Sequence, residues 1–382
     1  MTAKGGDTGA RQDPGATHDP GAAHDTGARQ DPGAAHDLGA QEHPGAAHDP
    51  SAPQIDSWVT FRPELKVLDC TIRDGGLMND HRFELPFVQR VYETCAAAGI
   101  DYVELGYKSD RKIFADAGPW KYCTEDDLRR IVGDNAAAAD AAAGTAIKLS
   151  VMADAERTDY HTDILPREQS VLSCIRIAAY VNQVPVALDM VKDAHDKGYQ
   201  TTFNLMALST VQERDLFDAL EVIVASPVDV VYVVDSFGSF YSEQVRDLTG
   251  KFVKLAHEAG KEVGIHAHNN QQLAYANTIE AMLAGATWLD ATICGLGRGA
   301  GNCPTELLLG FLKNPKFHLR PVLACVQDLF VPLRKELDWG YSIPYMLTGQ
   351  LNMHPRMAIK LRESSTPDNY VEFYDALTED QD

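Results

Sequence analysis

Eight short β-branched runs, each followed by a polar turn and an amphipathic stretch, recur from residue 66 onward and predict a (β/α)8 TIM barrel of the α/β class. Two further observations narrow that class. The eight units occupy about 250 residues, the size of such a barrel. No GxGxxG follows the first run, where a doubly wound dinucleotide fold would carry it.

The expected strands are KVLDCT (66–71), YVELGY (102–107), IKLSVMA (147–153) and CIRIAAY (174–180), then TTFNLMA (201–207), VVYVVDS (230–236), VGIHAHN (263–269) and WLDATIC (288–294). Between them the apolar residues fall at helical spacing. FELPFVQRVYETCAAAG, VALDMVKDAHDKG and DLTGKFVKLAHEAG should be helices stopped by Gly99, Gly198 and Gly260. Helical crossovers force neighbouring strands to run parallel. The expected organisation is a tail over 1–57, a catalytic barrel over 65–313 and a helical C-terminal extension over 314–382, covering the barrel mouth.

The tail is a different kind of sequence. From Gly9 to Pro50 it consists of seven hexapeptides, GARQDP, GATHDP, GAAHDT, GARQDP, GAAHDL, GAQEHP and GAAHDP. A solenoid needs an apolar residue per repeat, and Leu38 is the only large aliphatic there, so the reading is a disordered low-complexity tail. Its histidines, His18, His24, His36, His43 and His48, suggest metal capture, against the plainer reading of a tolerated repeat expansion. Without an apolar h-region the segment does not read as a signal peptide.

The chain of 382 residues carries a net charge of −21. Residues 1–57 hold nine acids against three bases, a net of −6, which leaves −15 for the other 325. This balance argues against nucleic acid as a partner. No apolar run reaches the roughly 18 residues of a spanning helix, so no membrane association is expected. Seven scattered cysteines do not form a disulfide framework, and a cytoplasmic location is expected.

A barrel of this kind does its chemistry at the C-terminal ends of its strands. At the seventh, His266 and His268 are two apart, so in a strand both imidazoles point to one side and can converge on an ion. Two hydrogen-bonded histidines at the barrel mouth are the plainer alternative. The first strand leads into Asp69-Cys70-Thr71-Ile72-Arg73-Asp74-Gly75-Gly76, where charge enters an otherwise apolar run and must be paired or liganded. An Arg73–Asp74 ion pair closing the barrel is the structural alternative. After the eighth strand, Gly295-Leu296-Gly297-Arg298-Gly299-Ala300-Gly301-Asn302 forms a loop for an anion or an oxygen ligand. In a closed barrel strands one, seven and eight are neighbours, so one metal site explains all three features.

At these residues the chain resembles the DRE-TIM metallolyases, the HMG-CoA-lyase-like superfamily, and most nearly its 4-hydroxy-2-oxovalerate aldolase branch. The matching stretches are DCTIRDGG (69–76), YVELGY (102–107), VVDSFG (233–238), GIHAHNN (264–270) and GLGRGAGNCPTE (295–306), in the same order. The resemblance implies that Asp74, His266 and His268 bind a divalent cation, Mn2+ or Mg2+ first, Zn2+ or Co2+ as alternatives, with Asn302 as an additional ligand. It implies that Arg73 stabilises an enolate oxygen and that Glu104 organises the site. A tyrosine from the extension would reach over the barrel mouth, Tyr341 first and Tyr345 second. The aldolase branch carries its general base three residues after the metal-binding aspartate, and here that position is Leu77, so His81 or Asp80 would serve instead. Cys303 follows Asn302 rather than preceding it, and the cysteine role of the HMG-CoA lyases does not transfer.

The implied activity is aldolase-type lyase or synthase chemistry on a C–C bond beside the enolate of a 2-oxo acid such as pyruvate, with an aldehyde as the second substrate. The alternative is an acetyl-CoA-dependent Claisen synthase, with an acyl-CoA in that place. An Fe(II) oxygenase and a non-catalytic scaffold are the remaining readings. A homodimer, and an aldehyde dehydrogenase receiving the aldehyde, are the partners the resemblance implies.

Overall fold

The computed structural model describes residues 62–133 and 147–379. The hexapeptide tail therefore lies outside the described residues. The strands are β1 (Lys66–Asp69), β2 (Tyr102–Tyr107), β3 (Lys148–Asp154), β4 (Cys174–Ala179), β5 (Gln200–Leu205), β6 (Val230–Asp235), β7 (Glu262–Ala267) and β8 (Trp288–Ala291). All pair in parallel and in chain order, and β8 closes on β1 with Leu68 opposite Asp290. The expected closed barrel is the observed one.

Helices Leu85–Ala97, Val184–Asp196 and Ser242–Glu258 stand where apolar periodicity placed them. Gly99, Gly198 and Gly260 follow them at φ 74°, 92° and 72°, the left-handed geometry of a helix stop. The crossover after β3 differs. Among the described residues it contains one helical turn, Tyr160–Asp163, and a 3-10 turn, Arg167–Gln169, because Pro166 and a run of Asp and Thr interrupt any apolar stripe. Several strands also end earlier than expected, and at β1 and β8 the cause is visible. The Asp69 carboxylate accepts the Thr71 N–H at 3.0 Å, and the chain turns into a short helix, Thr71–Gly75. After β8 the backbone reaches φ 56° at Cys294 and leaves the sheet.

The interior is layered. Tyr102, Cys174, Val230 and Trp288, from the even strands, form an apolar floor. Above them the same strands supply Glu104, Arg176, Tyr232 and Asp290. Arg176 donates to Glu104 Oε2 at 2.9 Å and to Asp290 Oδ2 at 2.6 Å, and its guanidinium stacks 4.6 Å from the Tyr232 ring. A Cβ at Gly264 in β7 would come 2.5 Å from that ring, so the layer needs glycine there. Replacing the fully buried Arg176 with Met leaves Glu104 only Arg73 and Asp290 only His266. Breaking a buried pair this way should destabilise the fold by roughly 3 kcal/mol in denaturant titration. A loss under about 1 kcal/mol, the size of an ordinary surface change, would show that the arginine does not hold the layer.

Candidate active site

The strand ends open into a cleft lined by residues of the β1–β7 ends, the loop after β8 and the extension, among them Arg73, Asp74, His81, Tyr107, Lys121, Asp154, His266, His268, Arg298, His354 and Arg356. The short helix after β1 places Arg73 and Asp74 beside each other, both buried, with Arg73 Nη1 2.9 Å from Asp74 Oδ1. Arg73 Nε donates to Glu104 Oε2 at 2.7 Å, so Glu104 bridges Arg73 and Arg176. A continuous chain of charge then runs from Asp74 through Arg73, Glu104, Arg176 and Asp290 to His266, whose Nδ1 lies 2.9 Å from Asp290 Oδ2. Asp290 fixes the imidazole tautomer and leaves Nε2 open, the usual second partner of a metal-binding histidine.

Ligand atoms of Asp74, His266 and His268 lie within 4.8 Å of one another. The His268 Nδ1 is 3.9 Å from Asp74 Oδ2, and the two rings meet edge to face at 5.1 Å. From the loop after β8, Asn302 donates its amide to Asp74 Oδ2, and a bridge pairs His268 with Asn302. His266 Nε2 and Asn302 Oδ1 are buried and have no protein partner. Within this connected group the buried charges are three carboxylates, Asp74, Glu104 and Asp290, against two guanidiniums, Arg73 and Arg176. Excess negative charge, two imidazoles and two orphaned electron-pair donors fit a bound cation. A second grouping, Cys70, His266 and Asp290, does not fit one, because burial, reinforced by Asp290, pushes the Cys70 thiol well above its ordinary range.

Burial alone would raise the Asp74 carboxyl, but Arg73, then His268, His266 and Arg298 outweigh it and hold Asp74 below the usual carboxylate range. Burial is the main force holding His268 neutral, helped by Arg298, His266 and Arg73. The group is thus an ionised carboxylate beside an imidazole free to donate a lone pair. Gly297 lets the loop come this close: a Cβ there would overlap Asn302 Nδ2 and approach Asp74 Oδ2 to 2.6 Å. Gly297→Ala should keep the fold and lower metal affinity about 10- to 100-fold in chelator competition, as losses around a metal site typically do. Unchanged affinity would show that the loop can move away without cost.

His81 reaches the cleft on a strained turn. Asp80 and His81 have φ of 53° and 60°, held by His81 N–H to Gly76 O and Gly118 N–H to Asp80 O, both at 2.7 Å. A Cβ at Gly76 would overlap the imidazole. The ring stands edge-on to Tyr107 at 5.3 Å, and its Nδ1 has no protein partner. Burial, with Lys121 and Arg73, pushes its pKa down to about 3, so the ring is neutral. Leu77 and Asp80 also line the cleft.

The extension contributes differently from the expectation. The structure does not bring Tyr341 to the cleft: its side chain is 57% exposed and does not line it. Tyr345 is buried instead among Ala300, Leu347, Ala358, Phe373 and Leu377, under the Arg362 guanidinium. The helix Ile343–Gln350 turns Tyr345 onto this satellite core, and the chain beyond it delivers His354 and Arg356 to the cleft. Sequence reasoning did not single out these two, nor Arg176 and Asp290. For Arg176 and Asp290 a signal existed, since each is a lone charge inside an apolar strand on the inward-pointing register.

A barrel with these strand-end donors is of the DRE-TIM kind. The chain belongs to the HMGL-like family, whose sequence model matches residues 64–324. It is 32% identical over 259 residues to an oxaloacetate decarboxylase of Mycobacterium tuberculosis, covering 67% of this chain and 72% of that one. It is 28% identical over 266 residues to a 4-hydroxy-2-oxovalerate aldolase of Pelotomaculum thermopropionicum, covering 70% and 75%. Among solved structures, the N-terminal domain of an aldolase-type protein from Bacteroides vulgatus superposes with a TM-score of 0.66 at 28% identity, over 79% of this chain and 98% of that one. The hydroxymethylglutaryl-CoA lyase of Pseudomonas aeruginosa, at 15% identity and a TM-score of 0.57 over 72% and 94%, shares the fold. These relatives are enzymes of the aldolase and lyase type. No helix among the described residues is long and apolar enough to cross a membrane.

Proposed function

We propose that this protein is a divalent-metal-dependent carbon–carbon lyase of the aldolase type, acting through the enolate of a 2-oxo acid such as pyruvate. The observation that carries this reading is the convergence of Asp74, His266 and His268 beside an arginine with a free donor, at the bottom of one cleft. A cation held by those three residues, with Mn2+ first and Mg2+ next by donor chemistry, would supply Lewis-acid stabilisation of the enolate charge.

The chain's own residues perform the rest. Arg73 spends Nε on Glu104 and Nη1 on Asp74, and its Nη2 is left without a protein partner in the cleft wall. That donor faces the oxygen on which negative charge develops, and its geometry is set before substrate arrives. Glu104 acts as the positioning residue for Arg73, and Asp290 does the same for His266. Asn302 orients Asp74 through its amide and keeps Oδ1 available. His81, neutral and with an open ring nitrogen, is the acceptor for the hydroxyl proton on the aldehyde side. Tyr341 has no part in this arrangement.

Deuterium incorporation into the pyruvate methyl group in D2O, followed by mass spectrometry, tests the reading before any acceptor is known. Exchange that requires Mn2+ or Mg2+ and stops with chelator is the expected result. Absence of exchange with Mn2+, Mg2+, Zn2+ and Co2+ alike would overturn it.

A further inference from the structure

One cation in the cleft wall, Lys121, has neither an ion pair nor a hydrogen bond among the described residues. Lys121 is 5% exposed, on the 3-10 turn Pro119–Lys121 that follows β2. Its ammonium sits 3.7 Å from the Tyr107 ring and 4.4 Å from the Phe114 ring. Rings attract the charge but accept none of its three N–H bonds in the way an oxygen does. No carboxylate of the described residues lies within ion-pair distance of Nζ, and no hydrogen bond satisfies it. Its neighbour Lys108, equally buried, shows what a structural lysine looks like in this fold: its Nζ donates to Cys123 O at 2.8 Å and pairs with Glu125 at 3.4 Å.

The surroundings reinforce the point. Arg157 and Arg356, whose side chains also have no carboxylate partner among the described residues, line the same cleft. Asp154 and Asp80 face it too, neither paired with Lys121. The chain as a whole is strongly acidic, with a net charge of −21, yet this wall gathers three cations that form no ion pair among the described residues, Asp154 being the nearest opposing charge to Lys121. Burying a charge without a partner is costly, and such a group is retained where a ligand supplies the partner. Lys121 is not part of the Asp74–His266–His268 group. Tyr107, whose ring touches both His81 and Lys121, places it beside the proton acceptor.

We infer that the substrate carries a second carboxylate at the end away from the metal-chelating 2-oxo acid, and that Lys121 receives it, with Arg157 and Arg356 at the rim. This rests on the 2-oxo acid reading above and adds the charge of the distal half.

The test is calorimetric binding of 2-oxoglutarate against 2-oxopentanoate to the full chain loaded with Mn2+. The two ligands share a head and a length and differ in the distal carboxylate. The wild type should favour 2-oxoglutarate by about 10- to 100-fold, the worth of one charged hydrogen bond. Lys121→Met should bring the ratio close to one, and Lys121→Arg should keep most of it. Removing an uncompensated buried charge should not lower the melting temperature; if Lys121→Met does melt lower, Lys121→Gln makes the same comparison. Equal binding by the wild type, a preference that survives in Lys121→Met, or borohydride trapping of pyruvate on Lys121 would overturn the inference. Pyruvate methyl exchange on the same preparation separates the two readings. Exchange without the diacid preference overturns the distal carboxylate alone, and the preference without exchange overturns the enolate reading alone.

Discussion

Asp74→Asn is expected to abolish metal-dependent turnover while leaving the circular dichroism spectrum unchanged. The substitution keeps the shape of the side chain, so the fold has little reason to respond. It removes the one ionised ligand oxygen in the group formed with His266 and His268, and the ion pair with Arg73 at 2.9 Å. It also leaves the Asn302 amide facing another amide where it now donates to a carboxylate. Changes around a metal site already cost 10- to 100-fold in affinity, so loss of the charged ligand itself should exceed about 100-fold. Metal titration against a competing chelator reads the affinity, and methyl exchange reads the chemistry. Retention of both within about tenfold would show that the histidines alone hold the ion, contrary to the charge balance of the site.

Arg73→Lys should cost about 10²- to 10³-fold in kcat/KM, most of it in kcat, the size of effect seen when a preorganised donor to developing charge is lost. The guanidinium serves three directions at once: Glu104 at 2.7 Å, Asp74 at 2.9 Å, and the open cleft through Nη2. A lysine presents one nitrogen and cannot serve all three in a plane. The two buried carboxylates outcompete any substrate oxygen for it, so charge is conserved while geometry is lost. A drop of less than about tenfold, against the expectation for a bidentate site, would place the stabilising charge elsewhere.

The histidines and Asp74 were legible because alternation in a strand and the closure of the barrel bring neighbouring strand ends together whatever the loops do. Glu104 was legible only through the family resemblance, since one carboxylate in YVELGY says little by itself. Arg176 and Asp290 carry the same kind of signal, a charge inside an apolar strand, and the structure gives them meaning by stacking them in one layer with Glu104. Tyr341 shows the opposite case. An aromatic-rich extension predicts packing, but which ring packs and which stays outside depends on the direction of the helix Ile343–Gln350. That helix turns Tyr345 inward and leaves Tyr341 at the surface.

By itself the sequence determined the barrel, its strand order and the gathering of Asp74, His266 and His268 at neighbouring strand ends, because hydrophobic period and strand-end position are local properties that closure converts directly into proximity. Only the tertiary structure decided that the extension offers His354 and Arg356, that His81 reaches the cleft on a left-handed turn, and that Lys121 is buried without an ion pair or a hydrogen bond. Whether a charge is matched depends on distances between residues far apart in the chain, and no local pattern of residues encodes them.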